Sequence, residues 1–364
     1  MKQLIIATMT LVAILLTQTR TQAKQNARAA ESTERIISRH LPTLAFTAPT
    51  HQHARIKKLI VRDLINGKHE TEAALGRATL YFPIFEHYLR KYDLPEELKY
   101  IPYVETRLKV RATSSVGAGG LWQFMQYTAH RYQLRVNAVV DDRYDAIRAT
   151  EAATRFLQDL YVEFDDWLLA LAAYNCGPGR VQRAIRQSKS RDFWKVEAYL
   201  PAETRRYIPT FISSVYIGKF HTAHGLKSRK YLFHYKNIRI LKLRQAARLQ
   251  DLAKVSDLPV ATLRLLNPAY LQGTVPVYSR GNYLILPGTA ANGAQRYLTK
   301  VNGSAAEEIQ LQPIELVVEG LPEKLEDPQV PKPIQQPTPE PSGWWSYAAR
   351  LAGNHWLAFI AFWI

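Results

Sequence analysis

Between Leu94 and Leu108, the residues Leu94, Leu98, Ile101, Glu105 and Leu108 succeed one another at steps of four, three, four and three. That spacing predicts the inward stripe of an amphipathic helix, which commits the segment to packing against other helices. One member of the stripe is a carboxylic acid. Burying an unpaired carboxylate is costly, and the usual response is a raised pKa that keeps the group protonated near neutral pH. An inward-facing proton donor is what general acid catalysis requires. The other reading, open at this point, is a Glu at a helix margin, turned to water or paired with Lys109.

A chain of 364 residues has room for two or three domains. Its formal charge of +17 favours an anionic partner: nucleic acid, a membrane surface or an acidic polymer such as cell wall. Lys and Arg are scattered rather than gathered into one tract, which argues against nucleic acid. The single cysteine, Cys176, excludes an intramolecular disulfide and a thiolate metal site. His51 with His53, and His221 with His224, have no acidic or sulfur ligand nearby in sequence and read as surface histidines. No metal and no cofactor are expected.

In chain order, Lys2 followed by the apolar run Leu4 to Leu16 and by Thr21-Gln22-Ala23 reads as an export signal over 1–23, either removed or kept as an anchor. No cysteine follows the run, so a lipid-modified N-terminus is not expected. Residues 24–90 read as an N-terminal helical arm, loose up to about residue 50, then helical with Ile56, Leu59, Ile60, Leu64 and Ile65 on one face. The domain over 91–225 is helical. Within it the glycines Gly117, Gly119 and Gly120 crowd a tight turn before Leu121-Trp122-Gln123-Phe124-Met125, where a Gln among apolar residues can bond a polar ligand. Asp141, Asp142, Arg143 and Asp145 predict a loop entering a helix near Asp145, with Arg143 able to pair with a carboxylate. A helix over 149–164 precedes Asp166 to Tyr174, apolar nearly all round and so expected at the centre. It ends at Tyr174-Asn175-Cys176-Gly177-Pro178, and a further helix is expected from Val181. Glu203 and Tyr207, four apart, share one face of another helix.

From 235 to 288 the pattern is strand (Ile238 to Leu243), two short helices (Ala246 to Ala253, Val260 to Leu266) and strand (Tyr283 to Leu286), a small α+β module in βααβ order. Residues 289–342 read as a polar, Pro-rich linker. The apolar segment over 343–364 is interrupted by Arg350, Asn354 and His355, so it is expected to lie at an interface, as a peripheral membrane contact or a docking helix, rather than to span a membrane.

Four motifs stand in fixed order: the Glu105 helix, Ala112-Thr113-Ser114 through Gly120 to Met125, Ala172-Ala173-Tyr174-Asn175-Cys176-Gly177, and Pro201-Ala202-Glu203-Thr204-Arg205-Arg206-Tyr207. Together they closely resemble the catalytic domain of the soluble lytic transglycosylase family over roughly 90–225, and more weakly over 55–90 and 235–288. The resemblance implies a mainly α, lysozyme-like fold. It also implies cleavage of the β-1,4 bond between N-acetylmuramic acid and N-acetylglucosamine in peptidoglycan glycan strands, leaving a 1,6-anhydro sugar. Carried over by motif, Glu105 is the catalytic residue, and Thr106, Ser114, Gln123, Met125, Tyr174, Asn175, Glu203 and Tyr207 line or orient the sugar site. The chain departs from the family pattern at Thr106, where Ser is usual, and at Cys176, where Ala is common. The 235–288 module resembles a degenerate LysM unit through Leu266-Asn267-Pro268 and Tyr283 to Pro287, without the Gly-Asp-Thr-Leu signature. Glycan binding and a purely structural role both remain open for it.

A lone acid also constrains the reaction. Glycosidases that use water normally place two carboxyl groups roughly 5 to 9.5 Å apart. With only one, Glu105 would protonate the departing oxygen, then take a proton from the substrate's C6 hydroxyl as that oxygen closes on C1. Asp141, Asp142 and Glu203 are the second-acid candidates if the enzyme is instead a muramidase; the third reading is a non-catalytic wall-binding protein.

Overall fold

The structure, a computed structural model, describes residue 18 and residues 31–46 and 48–310. The export signal expected over 1–23, apart from residue 18, the Pro-rich stretch from 328 to 341 and the apolar segment over 343–364 lie outside the described residues.

The N-terminal arm belongs to the main core. Residues 31–40 are helical (α1), followed by α2 (Thr50–Ile65) and α3 (Lys68–Lys91). Ile37, Leu41 and Leu44, at steps of four and three, are buried, so the stretch expected to be loose is packed through a short apolar stripe set among polar residues.

The Leu94–Leu108 stripe faces inward as expected, with Leu98, Ile101 and Leu108 fully buried. It is not one helix. A 3-10 turn over Glu96–Tyr100 leads into the short α4 (Ile101–Thr106). Pro102 has no amide hydrogen and fits only the first turn of a helix, so the helix starts afresh there. It ends where Arg107 and Leu108 turn left-handed, at φ 51° and 62°.

After α5 (Gln126–Arg131), α6 (Ala146–Phe164) begins at Asp145, whose carboxylate accepts the amides of Ile147 and Arg148 at 2.9 and 3.0 Å. Asp166 caps α7 (Trp167–Cys176) in the same way. Leu169 through Ala173 are all fully buried, and α7 packs against α6, α8 (Pro178–Ser188) and α10 (Ala202–Phe220), with α9 (Phe193–Val196) between the last two in sequence. The helix expected from Val181 starts at Pro178, a residue suited to a first turn.

In the C-terminal module, β1 (Ile238–Leu243) precedes β2 (Ala247–Arg248), α11 (Leu249–Val255), α12 (Val260–Leu266), β3 (Thr274–Val275) and β4 (Asn282–Pro287). β1 and β4 pair antiparallel with Ile240 opposite Ile285, and β2 pairs with β3. Alternation along β1 and β4 gives the sheet two apolar faces. Ile238, Ile240 and Ile285 join the main core, while Leu241, Leu243, Leu284 and Leu286 join the module's own core. Residues 289 onward, expected to open a linker, instead form α13 (Ala291–Asn302) and β5 (Glu307–Glu308), which pairs with the free edge of β1. Three small or apolar side chains, Ala291, Ala294 and Leu298, suffice to seat α13. No helix among the described residues is long and apolar enough to cross a membrane.

Candidate active site

Glu105 stands on the last turn of α4, half-buried. The left-handed turn that follows is tied down from the N-terminal arm. Arg77 Nε donates to the Arg107 carbonyl at 2.8 Å, and Arg107 Nη2 donates to Asp63 Oδ2 at 2.9 Å. The Thr106 hydroxyl, expected at the sugar site, is buried and donates back to the Pro102 carbonyl at 3.0 Å.

The Glu105 carboxyl receives the Tyr207 hydroxyl from α10 at 2.7 Å. Burial pushes its pKa up to about 7; the Tyr207 hydrogen bond pulls it down and the Glu203 charge adds to the rise. Tyr174 and Tyr207 are themselves pushed well above the usual phenol range by burial and by the Glu105 carboxyl, so both stay protonated donors. The Tyr174 hydroxyl donates to the Trp122 carbonyl at 2.6 Å, which joins α7 to the glycine-rich loop over 112–125.

That loop is a tight, self-bonded turn. Gly119 and Phe124 exchange both backbone hydrogen bonds, at 3.0 and 3.1 Å. Gln123, at φ 49°, donates Nε2 to the Gly120 carbonyl at 2.8 Å and to the Ala112 carbonyl at 3.3 Å. Its Oε1 is the remaining polar atom with which to meet a ligand. The Ser114 hydroxyl accepts the Ala118 amide at 3.0 Å, and Met125 is 45% exposed at the loop's end. Asn175 accepts the Thr204 hydroxyl at 2.8 Å, fastening α7 to α10 beside Tyr207. Glu203 is exposed one turn before Tyr207.

The structure thus brings Glu105, Tyr174 and Tyr207 into one electrostatic unit, with Glu203 acting on it through its charge. Ser114, Gln123 and Met125 sit on the loop bonded to Tyr174 and make no hydrogen bond to Glu105 among the described residues. Asp141 and Asp142 are taken up elsewhere: Asp141 pairs with Arg143 at 2.7 Å and Asp142 with Arg135 at 2.8 Å. Sequence reasoning missed Thr204, Asp63 and Arg77. Thr204 lay inside a quoted motif, but no local pattern points to the other two. Among the described residues no cluster of side chains suits a metal ion.

Comparison with known proteins bears on this geometry directly. Residues 82–197 match the family model described as the transglycosylase SLT domain, a span that includes Glu105, the glycine-rich loop and Tyr174-Asn175. Over that span the chain is similar to an SLT domain. A second match, over 238–303, is to the LysM-like domain of lytic transglycosylase MltD, and it takes in α13 as well as the βααβ core. Membrane-bound lytic murein transglycosylase D of Escherichia coli (strain K12) is 33% identical over 219 residues, 58% of this chain and 47% of that protein. This chain therefore spans about half the length of that relative. The 70 kDa soluble lytic transglycosylase of Escherichia coli aligns in structure at 22% identity and a TM-score of 0.37, covering 50% of this chain and 33% of its own. α10, with Tyr207, lies beyond the SLT match, yet it supplies the hydrogen bond to Glu105 within it.

Proposed function

We propose that this protein is a peptidoglycan lytic transglycosylase that cleaves the bond between N-acetylmuramic acid and N-acetylglucosamine and leaves a 1,6-anhydro end, with Glu105 as acid and then base. One observation carries the reading: the Tyr207 hydroxyl donates to the inward-facing Glu105 carboxyl at 2.7 Å, in surroundings that push the Glu105 pKa up to about 7. As acid, Glu105 delivers its proton to the departing glycosidic oxygen. As carboxylate, it is stabilised by the Tyr207 hydroxyl and draws the C6 hydroxyl proton while that oxygen attacks C1. An intramolecular nucleophile has an effective concentration far above that of water. The ion-paired state of Asp141 and Asp142 supports a single working acid. The SLT match and the name of the E. coli relative support the substrate. Gln123, Met125 and Ser114 would meet the sugar from the glycine-rich loop, and the place of action would be the cell envelope.

A hydrolytic reading keeps one specific support, since the charge of Glu203 reaches Glu105 and could serve to activate a water. Mass spectrometry of a peptidoglycan digest separates the two. Products lighter by one water uphold transglycosylation, and reducing muramic ends would hand the reaction to a muramidase.

A further inference from the structure

The segment that leaves α12, from Asn267 to Gly281, is bound to the SLT domain. The Asp141 amide donates to the Ala269 carbonyl at 3.0 Å, and the Leu271 amide donates to the Val139 carbonyl at 3.1 Å. Val140, between these two bonds, is buried in the module's own apolar core. Arg135 lies 4.1 Å from the centre of the Tyr278 ring and donates to Asn282 Oδ1 at 2.7 Å. A module that merely trailed the catalytic domain on a linker would share neither backbone bonds nor a core residue with it.

The same turn reaches the substrate loop. Arg143, 8% exposed, is gripped on one side by the Asp141 carboxylate at 2.7 Å. On the other side its Nη1 donates to the Gly117 carbonyl at 2.7 Å and to the Phe124 carbonyl at 3.2 Å. Phe124 stands between Gln123 and Met125. Two of the loop's glycines lie against this turn: a Cβ on Gly119 would fall 3.0 Å from Arg143 Cζ, and one on Gly120 would fall 1.8 Å from the Arg143 carbonyl oxygen. The backbone bond to Ala269 of the module fixes Asp141, Asp141 aims Arg143, and Arg143 fixes the Gly117 and Phe124 carbonyls, between which Gln123 stands. Such a contiguous, buried set of contacts can carry mechanical coupling.

We propose that the LysM-like module works as a brace for the 112–125 loop rather than as a glycan reader, and that Arg143 is the positioning residue through which it acts. The catalytic consequence rests on the transglycosylase reading; the mechanical coupling does not.

Two variants of the full chain test it. Gln272→Ala/Tyr278→Ala/Arg280→Ala weakens the module's side of the contact, where Gln272 donates to the Ala138 carbonyl at 3.3 Å, Arg280 donates to Gln133 Oε1 at 2.7 Å and the Tyr278 ring faces Arg135; Arg143→Lys keeps the charge but cannot bridge carboxylate and two carbonyls at once. Amide hydrogen exchange, release of soluble glycan fragments and co-sedimentation with insoluble peptidoglycan are measured on each. In both variants exchange over 112–125 should quicken by about fivefold or more while α10 stays protected. kcat should fall on the order of 10- to 100-fold, with sedimentation retained. Unchanged exchange over 112–125 in the triple variant would overturn the proposal, as would loss of sedimentation with kcat and exchange intact, the behaviour of a glycan reader. If the wild-type chain releases no glycan fragment, the transglycosylase reading fails, and quickened exchange over 112–125 still upholds the brace.

Discussion

The Tyr207 hydroxyl donates to Glu105 Oε1 at 2.7 Å across 102 residues of sequence. This bond and the Glu203 charge act on the same carboxyl in opposite directions, the first favouring its ionised form and the second its protonated form. Glu105 must hold a proton to start the reaction, so kcat/KM should fall as pH rises through about 7. Tyr207→Phe removes the bond that favours the carboxylate. It should move the alkaline limb of the profile to higher pH while lowering the maximum. Glu203→Gln removes the charge that favours the proton and should move the same limb to lower pH. A pH profile of fragment release for the two variants checks this; shifts in one common direction would refute the arrangement.

Glu105 also sets a stability cost. Its pKa of about 7 in the folded protein lies above the ordinary 4.5, so the folded state binds this proton more tightly than the unfolded one. Stability from this group is fully present below about pH 4.5 and is lost as pH climbs toward 7, a loss on the order of 3 kcal/mol once the folded group is ionised. Glu105→Gln should abolish turnover and raise the melting temperature, by much more at about pH 8 than at about pH 5. Thermal unfolding at both pH values measures it. An equal gain at the two would mean that the carboxyl is not held in its protonated form by burial.

The glycine-rich loop yields a contrast between two neighbours. Gly117 has φ +84° with nothing within 4 Å of where a Cβ would be, whereas Gly120 has φ +78° and a Cβ there would lie 1.8 Å from the Arg143 carbonyl oxygen. Gly117→Ala should therefore cost only the left-handed backbone penalty, about 1–2 kcal/mol. Gly120→Ala adds a clash between backbone segments and should cost more than about 4 kcal/mol, or prevent folding. Urea unfolding of the two variants compares them, and equal costs would mean that the 142–144 turn does not press on the loop.

How much of this is legible in the sequence depends on whether a feature is local. The cap at Asp145, the all-round apolar α7 and the β1–β4 pair follow from residues a few positions apart, and the structure places them within a few positions of where the patterns end. The inward stripe through Ile101 and Leu108 is equally local, but the helix continuity it suggests is broken by Pro102, since apolar spacing says nothing about a missing amide hydrogen. α13 rests on Ala291, Ala294 and Leu298 in a polar stretch, too few apolar residues to register as a face. At the site, Glu105 and Tyr207 can each be singled out from their own motifs. Their hydrogen bond, the Asn175–Thr204 clasp and the grip of Asp63 on Arg107 join distant helices, and no spacing rule reaches that far.

The base of the Glu105 helix is fastened by a buried ion pair. Lys99, in the 3-10 turn before α4, is 6% exposed and lies 2.6 Å from Glu86 of α3, itself 3% exposed. Lys99 also donates to the exposed Glu96. Two charges held this far from water gain little over an apolar pair of the same volume, but either one alone is severely destabilising. Lys99→Met should therefore cost about 3–5 kcal/mol, because it leaves the Glu86 carboxylate buried and unpaired. Adding Glu86→Leu should recover most of that loss, a coupling that a double-mutant cycle in urea measures directly. The double variant should also restore turnover to whatever extent it restores stability, because neither side chain bonds to Glu105. A single Lys99→Met variant that lost less than about 1 kcal/mol would mean that Glu86 finds water or another donor, and that apolar packing at Leu98 and Ile101 alone anchors the helix.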